Sequence, residues 1–358
     1  MLLGEDEFDP DALGFTQLHQ IILGFDSSDL AEELKYKSVF NLVNKPDNEG
    51  RTPLLWAADL GAAREVEILL ENGAEITLMD INGYCAVSMA STIKVLKLCL
   101  KDCPLSHLNN MANPRNGSLL LSHLTIGYFG GQRMSVYDET ENIQRASMLI
   151  DAGADINLGT AGGVSPLTWI AQRDFPITTK FLLDSGADVN NVCRNGITVI
   201  MQTVQRDARA SLAAILSEPR DFDFALKDCD GWNLLHYLAG FGSLEVIKLF
   251  ETVHVAGTDA DSGVVIADSK TYLGCTPMDL AVWRFKDEYH LDRIGEEEEW
   301  WTCFKGLLDR VRESTRVSLL DEMSSTGSVT EEEAGSVSSD SEDSTDDEEF
   351  HDAVEASV

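Results

Sequence analysis

Apolar residues in this chain come in short blocks, each opened by a polar turn that carries a glycine. The clearest block, Asp47-Asn48-Glu49-Gly50-Arg51-Thr52-Pro53-Leu54-Leu55-Trp56-Ala57-Ala58, passes from a turn-forming run into a short, Ala-rich helix. Gly50 supplies a backbone position free to take positive φ, Thr52 can cap the helix, and Pro53 suits its first turn. After Gly61 the pattern predicts a second helix, with Val66, Leu69 and Leu70 on one face and Gly73 as its left-handed C-terminal cap.

The turn glycines recur at positions 14, 50, 83, 117, 163, 196, 231 and 274, with spacings of 36, 33, 34, 46, 33, 35 and 43 residues. A modal period near 33 predicts a stack of small units, each too small to bury its apolar face alone, rather than one globular centre. Asn44, Asn157 and Asn190 each fall eight residues before a Thr or Ser cap, at Thr52, Ser165 and Thr198, which predicts a loop of fixed length. Either Asn116 or Gly117 fills the glycine slot of the fourth unit.

The chain resembles the ankyrin repeat family. The resemblance is carried by Thr52-Pro53-Leu54, by the Gly-Ala-Asp-(Ile/Val)-Asn stretches at 153–157 and 186–190, and by Asp230-Gly231-Trp232-Asn233-Leu234-Leu235-His236. It covers roughly residues 12–312 and implies an all-α solenoid of stacked helix-loop-helix units with hairpin fingers and a concave face. Units then start near 12, 47, 80, 114, 160, 193, 228 and 271, after an N-terminal extension at 1–11. Insertions are expected near 130–142 and 254–268, and a capping helix near 296–312 with Trp301, Phe304, Leu307, Leu308 and Val311 as its apolar stripe. Several copies depart from the pattern: Gln17 replaces the helix-starting Pro, and Cys85-Ala86-Val87-Ser88 and Thr198-Val199-Ile200-Met201 keep only its apolar outline. The resemblance also implies that His236 ties neighbouring units by hydrogen bonds.

Charge narrows the partners. The 358 residues hold 61 acids against 27 Lys and Arg, a formal charge of −34, and residues 321–358 contain 14 acids and no Lys or Arg. Such a chain repels a phosphate backbone, so no direct nucleic acid binding is expected. No apolar run is long enough to span a bilayer, and the start carries no basic leader, which predicts a soluble, cytoplasmic or nuclear protein, monomeric by itself. Seven scattered cysteines without a CxxC pair are read as reduced thiols. Residues 313–358 are expected to be a disordered acidic tail, with Ser339, Ser344 and Thr345 as phosphorylation sites; the tail is either a solubiliser or an electrostatic arm for basic partners.

Candidate chemistry is sparse. Cys99, Cys103 and His107 are spaced like ligands, but Pro104 interrupts the span and the segment reads as core, so no metal, no cofactor and no catalytic residue is assigned. Gly159-Thr160-Ala161-Gly162-Gly163 lacks the Lys-Ser/Thr ending of a phosphate loop and falls where a finger belongs. Trp56, Trp169 and Tyr237 occupy one helix slot, and Tyr84 and Trp232 follow finger glycines; each either packs between units or meets a partner. The family resemblance adds Asn48, Glu49, Arg51, Asp59, Arg173, Arg194, Gln205, Arg206 and Phe241 as contact positions. Arg173, Arg194 and Arg206 form either a basic patch for a carboxylate-bearing segment or a solvated network with Asp174, Asp188 and Asp207. The expected function is a non-enzymatic scaffold binding a partner protein on the concave face and fingers. The alternatives are an adaptor that recruits substrates to a ubiquitin ligase or kinase, and a chaperone-like binder of basic proteins through the acidic tail.

Overall fold

The computed structural model describes residues 12–109, 118–124, 139–217, 222–256, 264–285 and 294–326. The N-terminal extension, the slot at Asn116 and Gly117, residues 130–138 and 257–263 of the expected insertions, and Ser339, Ser344 and Thr345 lie outside the described residues. The chain divides into two compact parts, Met1–Thr315 and Arg316–Val358.

In the first part, helices come in successive pairs. Gln17–Leu23 is followed by Leu30–Glu33, Pro53–Asp59 by Ala63–Glu71, Ala86–Met89 by Ile93–Lys101, and Leu119–Leu124 by Glu139–Asp151. Pro166–Ala171 then precedes Pro176–Asp184, Val199–Gln205 precedes Arg209–Leu216, Leu234–Phe241 precedes Leu244–Leu249, and Pro277–Arg284 precedes Ile294–Thr326. We number these pairs as repeats one to eight. First helices pack on first helices and second helices on second helices, giving two layers. Among the described residues there is no strand, and one isolated bridge, Val192 to Thr198, sits inside a finger.

Local sequence sets each start. The hydroxyls of Thr52, Ser165, Thr198 and Thr276 accept from the backbone three residues on, at Leu55, Thr168, Met201 and Asp279, and Asn233 caps with its side-chain oxygen. The first helices are short and carry small residues where neighbours press in: Ala57, Ala58, Ala171 and Ala239 are fully buried. Buried leucines such as Leu54, Leu69, Leu182 and Leu238 run the length of the stack, each contributing roughly 2 kcal/mol of apolar transfer energy.

The last helix closes the stack with Phe304, Leu307, Leu308 and Val311, all buried. The sequence stripe needs one correction: Trp300, not Trp301, takes the inner position. Trp300 donates from Nε1 to the Gly242 carbonyl at 2.9 Å and packs on Phe285 and Phe304 at 4.9 Å, while Trp301 stays half-buried. Steps of four, three, one and three from Trp300 keep the stripe on one side of a 3.6-residue helix. The helix boundary also differs. Residues 313–326, expected in the tail, are helical, because the sequence from Leu307 to Thr326 contains no Gly or Pro to stop it. Residues 139–142, expected inside an insertion, form the first turn of Glu139–Asp151.

Candidate protein-binding surface

Five of the described fingers are built by a polar side chain at their first position; the sixth has Cys193 there and is closed by backbone bonds to Ile197 and Gly196. Asp47 Oδ1 accepts from the N–H groups of Glu49 and Arg51 at 2.9 Å, and Asp80 Oδ1 from those of Asn82 and Tyr84 at 2.9 Å. Asp228 Oδ1 does the same for Asp230 and Trp232, and the Thr160 and Thr271 hydroxyls serve their own fingers. The turn then needs positive φ, which Gly50 meets at +79° and its counterparts in the other described fingers meet similarly. Close approach matters as well: a Cβ on Gly196 would stand 2.5 Å from the Lys227 carbonyl oxygen of the next finger.

Adjacent fingers are bonded edge to edge. Ile81 donates its N–H to Glu49 O at 3.0 Å, Arg194 to Gly162 O at 2.9 Å, Cys229 to Asn195 O at 2.8 Å, and Tyr272 to Asp230 O at 3.1 Å. Finger backbone is therefore held in a ladder, with two tip residues per finger projecting from it.

Deeper contacts fix one repeat against the next. His19 and His236 accept an N–H at Nδ1, from Thr16 and Asn233, and donate from Nε2 to the Arg51 and Cys275 carbonyls of the following repeat at 3.0 and 3.1 Å. Asn44 and Asn109 each bridge the backbone of the next repeat's loop, while Asn157 Oδ1 and Asn190 Oδ1 accept from the Asp188 and Asp223 N–H groups at 2.8 and 3.0 Å. Arg145, 2% exposed, donates to the Ala90 and Ser91 carbonyls and to Glu141. Sequence patterning shows the Asn spacing only as loop length, and gives no sign that Arg145 is interior, because the carbonyls it serves lie more than fifty residues away.

The proposed contact residues separate on this frame. Asn48, Glu49 and Arg194 are exposed finger tips; Asp59, Gln205, Arg206 and Phe241 are exposed ends of first helices. Arg51 lies 4.8 Å over the Trp56 ring, with Asp59 at 4.0 Å, and Trp56 donates from Nε1 to Asp47 Oδ2 at 2.8 Å. The guanidinium of Arg173 sits 3.2 Å over the Trp169 ring and donates to the Trp169 carbonyl. Tyr84 and Trp232 are half-buried, since the position after the finger glycine turns toward the helices; Trp232 packs against Tyr237 and Phe241 at 5.7 and 5.9 Å. Tyr237 is a correction: it is 3% exposed and its hydroxyl donates to Asp228 Oδ2 at 2.8 Å, so it supports the finger from inside and offers no surface to a partner.

Arg194 and Arg206 do not form the solvated network. Asp174 and Asp207, both at positive φ, point instead to the next repeat, accepting from Ser211 N–H and Ser243 Oγ at 2.8 Å, and Asp207 also holds Arg209. Asp188 caps its own loop at Asn190. Arg194 and Arg206 are exposed and make no ion pair among the described residues. Sequence reasoning missed Ile81, Tyr272, Leu273 and Trp283, which are strongly exposed; the first three are finger tips, legible from their place between the finger acceptor and the glycine.

Chemically reactive groups are used structurally. Burial pushes His123 and His236 down to about 4, and the thiols of Cys99 and Cys103 up to about 12 and 11. Among the described residues no three His, Cys, Asp or Glu side chains are grouped to hold a metal ion, and no helix is long and apolar enough to cross a membrane.

Comparison with known proteins agrees with this architecture. A family model, the ankyrin repeat, matches residues 49–81. The human DNA-binding protein RFXANK is 39% identical over 83 residues, covering 23% of this chain and 31% of that protein. Mouse ankyrin repeat family A protein 2 is 46% identical over 50 residues, 14% of this chain and 16% of its own length. The chain thus spans less than a third of these curated relatives. Among solved structures, the ankyrin repeat domain of Bcl-3, a member of the IkappaB family, superposes with a TM-score of 0.53 at 20% identity, covering 66% of this chain and 98% of that domain. Residues 49–81 thus match the ankyrin repeat directly, and the chain shares the ankyrin solenoid fold. Ankyrin repeats generally act as non-enzymatic modules that bind other proteins on extended surfaces.

Proposed function

We propose that this chain is a non-catalytic scaffold that receives another protein on its fingers and on the exposed ends of its first helices. One observation carries the reading. Finger backbone is held by the same turn and the same cross-finger bond from repeat to repeat, yet no two of the described tip pairs are the same: Asn48-Glu49, Ile81-Asn82, Ala161-Gly162, Arg194-Asn195, Cys229-Asp230 and Tyr272-Leu273. Asn48 donates from Nδ2 to the Ala12 carbonyl of the first finger at 3.0 Å, but no such bond recurs at the other tips named here, so their variety suits recognition. A surface fixed this way loses little conformational entropy on binding.

The formal charge of −34 favours a protein over a nucleic acid as the partner. Affinity purification of the full chain carrying Arg206→Ala and Phe241→Ala should recover at least about tenfold less partner than the parent, the effect expected of interface anchors. Lys97→Ala and Glu67→Ala, on exposed second-helix positions, should leave recovery unchanged. Loss with the second pair and none with the first would overturn the reading.

A further inference from the structure

We propose that repeats five to seven receive an extended acidic segment of the partner that carries one large apolar side chain. This inference rests on the scaffold reading above and specifies the chemistry of its occupant.

The ninth position of each first-helix motif, counted from its cap as one, is Arg173 after Ser165, Arg206 after Thr198 and Phe241 after Asn233. Successive first helices pack side by side, so Arg, Arg and Phe stand in a row from three consecutive repeats. The finger between the two arginine-bearing helices adds Arg194 at its tip. Arg173 is held by its contact with Trp169, and Phe241 by Trp232 and Tyr237 at 5.9 and 5.8 Å. Both ends of the row are therefore fixed before any partner arrives.

Charge complementarity chooses the occupant. The acids that follow two of these positions, Asp174 and Asp207, are committed to Ser211 and Ser243 of the next repeats, and Asp207 to Arg209 as well. They do not neutralise Arg194 or Arg206, which stay exposed without an ion pair among the described residues. In a chain with 61 acids and 27 basic residues, such a cluster is locally exceptional. Guanidinium groups take carboxylates in paired hydrogen bonds, and the half-buried Trp232 beside the 41% exposed Phe241 offers a ledge for an apolar side chain. Asp230, exposed on the seventh finger, limits the basic stretch, so the carboxylates belong over repeats five and six and the apolar residue over repeat seven.

Salt dependence has opposite signs for local pairing and for net charge. Against a chain of −34, an acidic peptide attracted by nothing local would bind better as salt screens the repulsion. Pairing with Arg194 and Arg206 makes binding weaken instead.

The test is selection of random peptides displayed on phage against the immobilised full chain, followed by fluorescence anisotropy of the most enriched peptide. The proposal expects peptides with clustered Asp or Glu followed by Leu, Ile, Phe or Trp. Affinity should fall at least about tenfold in the Arg194→Glu, Arg206→Glu double variant, at least about fivefold in Phe241→Ala, and on raising salt from about 0.05 to 0.3 M. Circular dichroism of the variants confirms folding, as these side chains are exposed. Enrichment of basic or uncharged peptides, recovery of no peptide, or acidic peptides whose affinity survives the charge reversal would each overturn the proposal. Peptides of another chemistry that still lose affinity with Phe241→Ala would leave the scaffold reading standing while this inference falls.

Discussion

Arg51 and Asp80 belong to successive fingers, and Arg51 Nε stands 3.6 Å from Asp80 Oδ2 with no hydrogen bond made by either atom. The reason lies nine residues after the finger acid. Trp56 and Tyr237 occupy that slot for Asp47 and Asp228 and donate to their second carboxylate oxygens at 2.8 Å, whereas the slot for Asp80 is Met89, which has no proton to give. The third finger therefore relies on a charge from its neighbour. Arg51→Ala leaves the buried Asp80 Oδ2 without a neighbouring charge, while Oδ1 keeps its two backbone bonds, and should cost about 2 kcal/mol. Arg64→Ala, which breaks an exposed, solvent-screened pair with Asp29, should cost far less. Urea unfolding of the two variants checks the order.

The same geometry makes Tyr237→Phe informative. Removing one oxygen keeps the ring packed against Trp232 and Phe241 but strands Asp228 Oδ2 in the interior, an expected loss of about 2 kcal/mol. Comparable unfolding midpoints for parent and variant would show that the hydroxyl does not support the finger.

Gly186 and Gly196 separate two reasons for glycine. Both have positive φ, at +94° and +75°, but a Cβ on Gly186 meets nothing within 4 Å, whereas one on Gly196 would collide with the Lys227 carbonyl and Asp228 Cα. Gly186→Ala should cost about 1 kcal/mol for the backbone alone. Gly196→Ala should cost at least about 2 kcal/mol more, because the next finger must move. Thermal unfolding of both variants measures the difference.

Two interior histidines give the fold a defined acid response. His123 and His236 are held at about 4 in the folded protein, below the ordinary value near 6.5. A depressed folded value means the unfolded chain binds the proton first. Their stabilisation is complete above about pH 6.5, falls as pH drops toward 4, and is gone below it, at up to about 1.4 kcal/mol per pH unit per histidine. Urea midpoints from pH 7.5 to 4.5 should decline, and His236→Gln should decline less steeply. Identical slopes would contradict the assignment.

How much of this was readable from sequence depends on how local the cause is. The turn at Gly50, the Thr52 cap and the Phe304–Val311 stripe arise within one repeat, and the sequence shows them. Asn157 bonding Asp188, Arg145 serving Ala90 and Ser91, and Asp174 capping Ser211 all join neighbouring repeats across thirty or more residues, so no local pattern reports them. Tyr237 and Trp56 share a slot and the same acceptor chemistry, yet Tyr237 is fully covered because Trp232 lies against it. The surface was partly legible: Arg194, Arg206 and Phe241 were named from family positions, while Ile81, Tyr272, Leu273 and Trp283 emerged only with exposure.

The most direct test of the scaffold is photocross-linking in living cells with a photoreactive amino acid placed singly at Phe241, at Asn48 on a finger tip, or at Lys97 on a second helix. Discrete cross-links to another protein at positions 241 and 48, and none at 97, are the expected result. Cross-links at 97 alone, or equally at all three positions, would contradict the assignment of partner binding to the fingers and first helices.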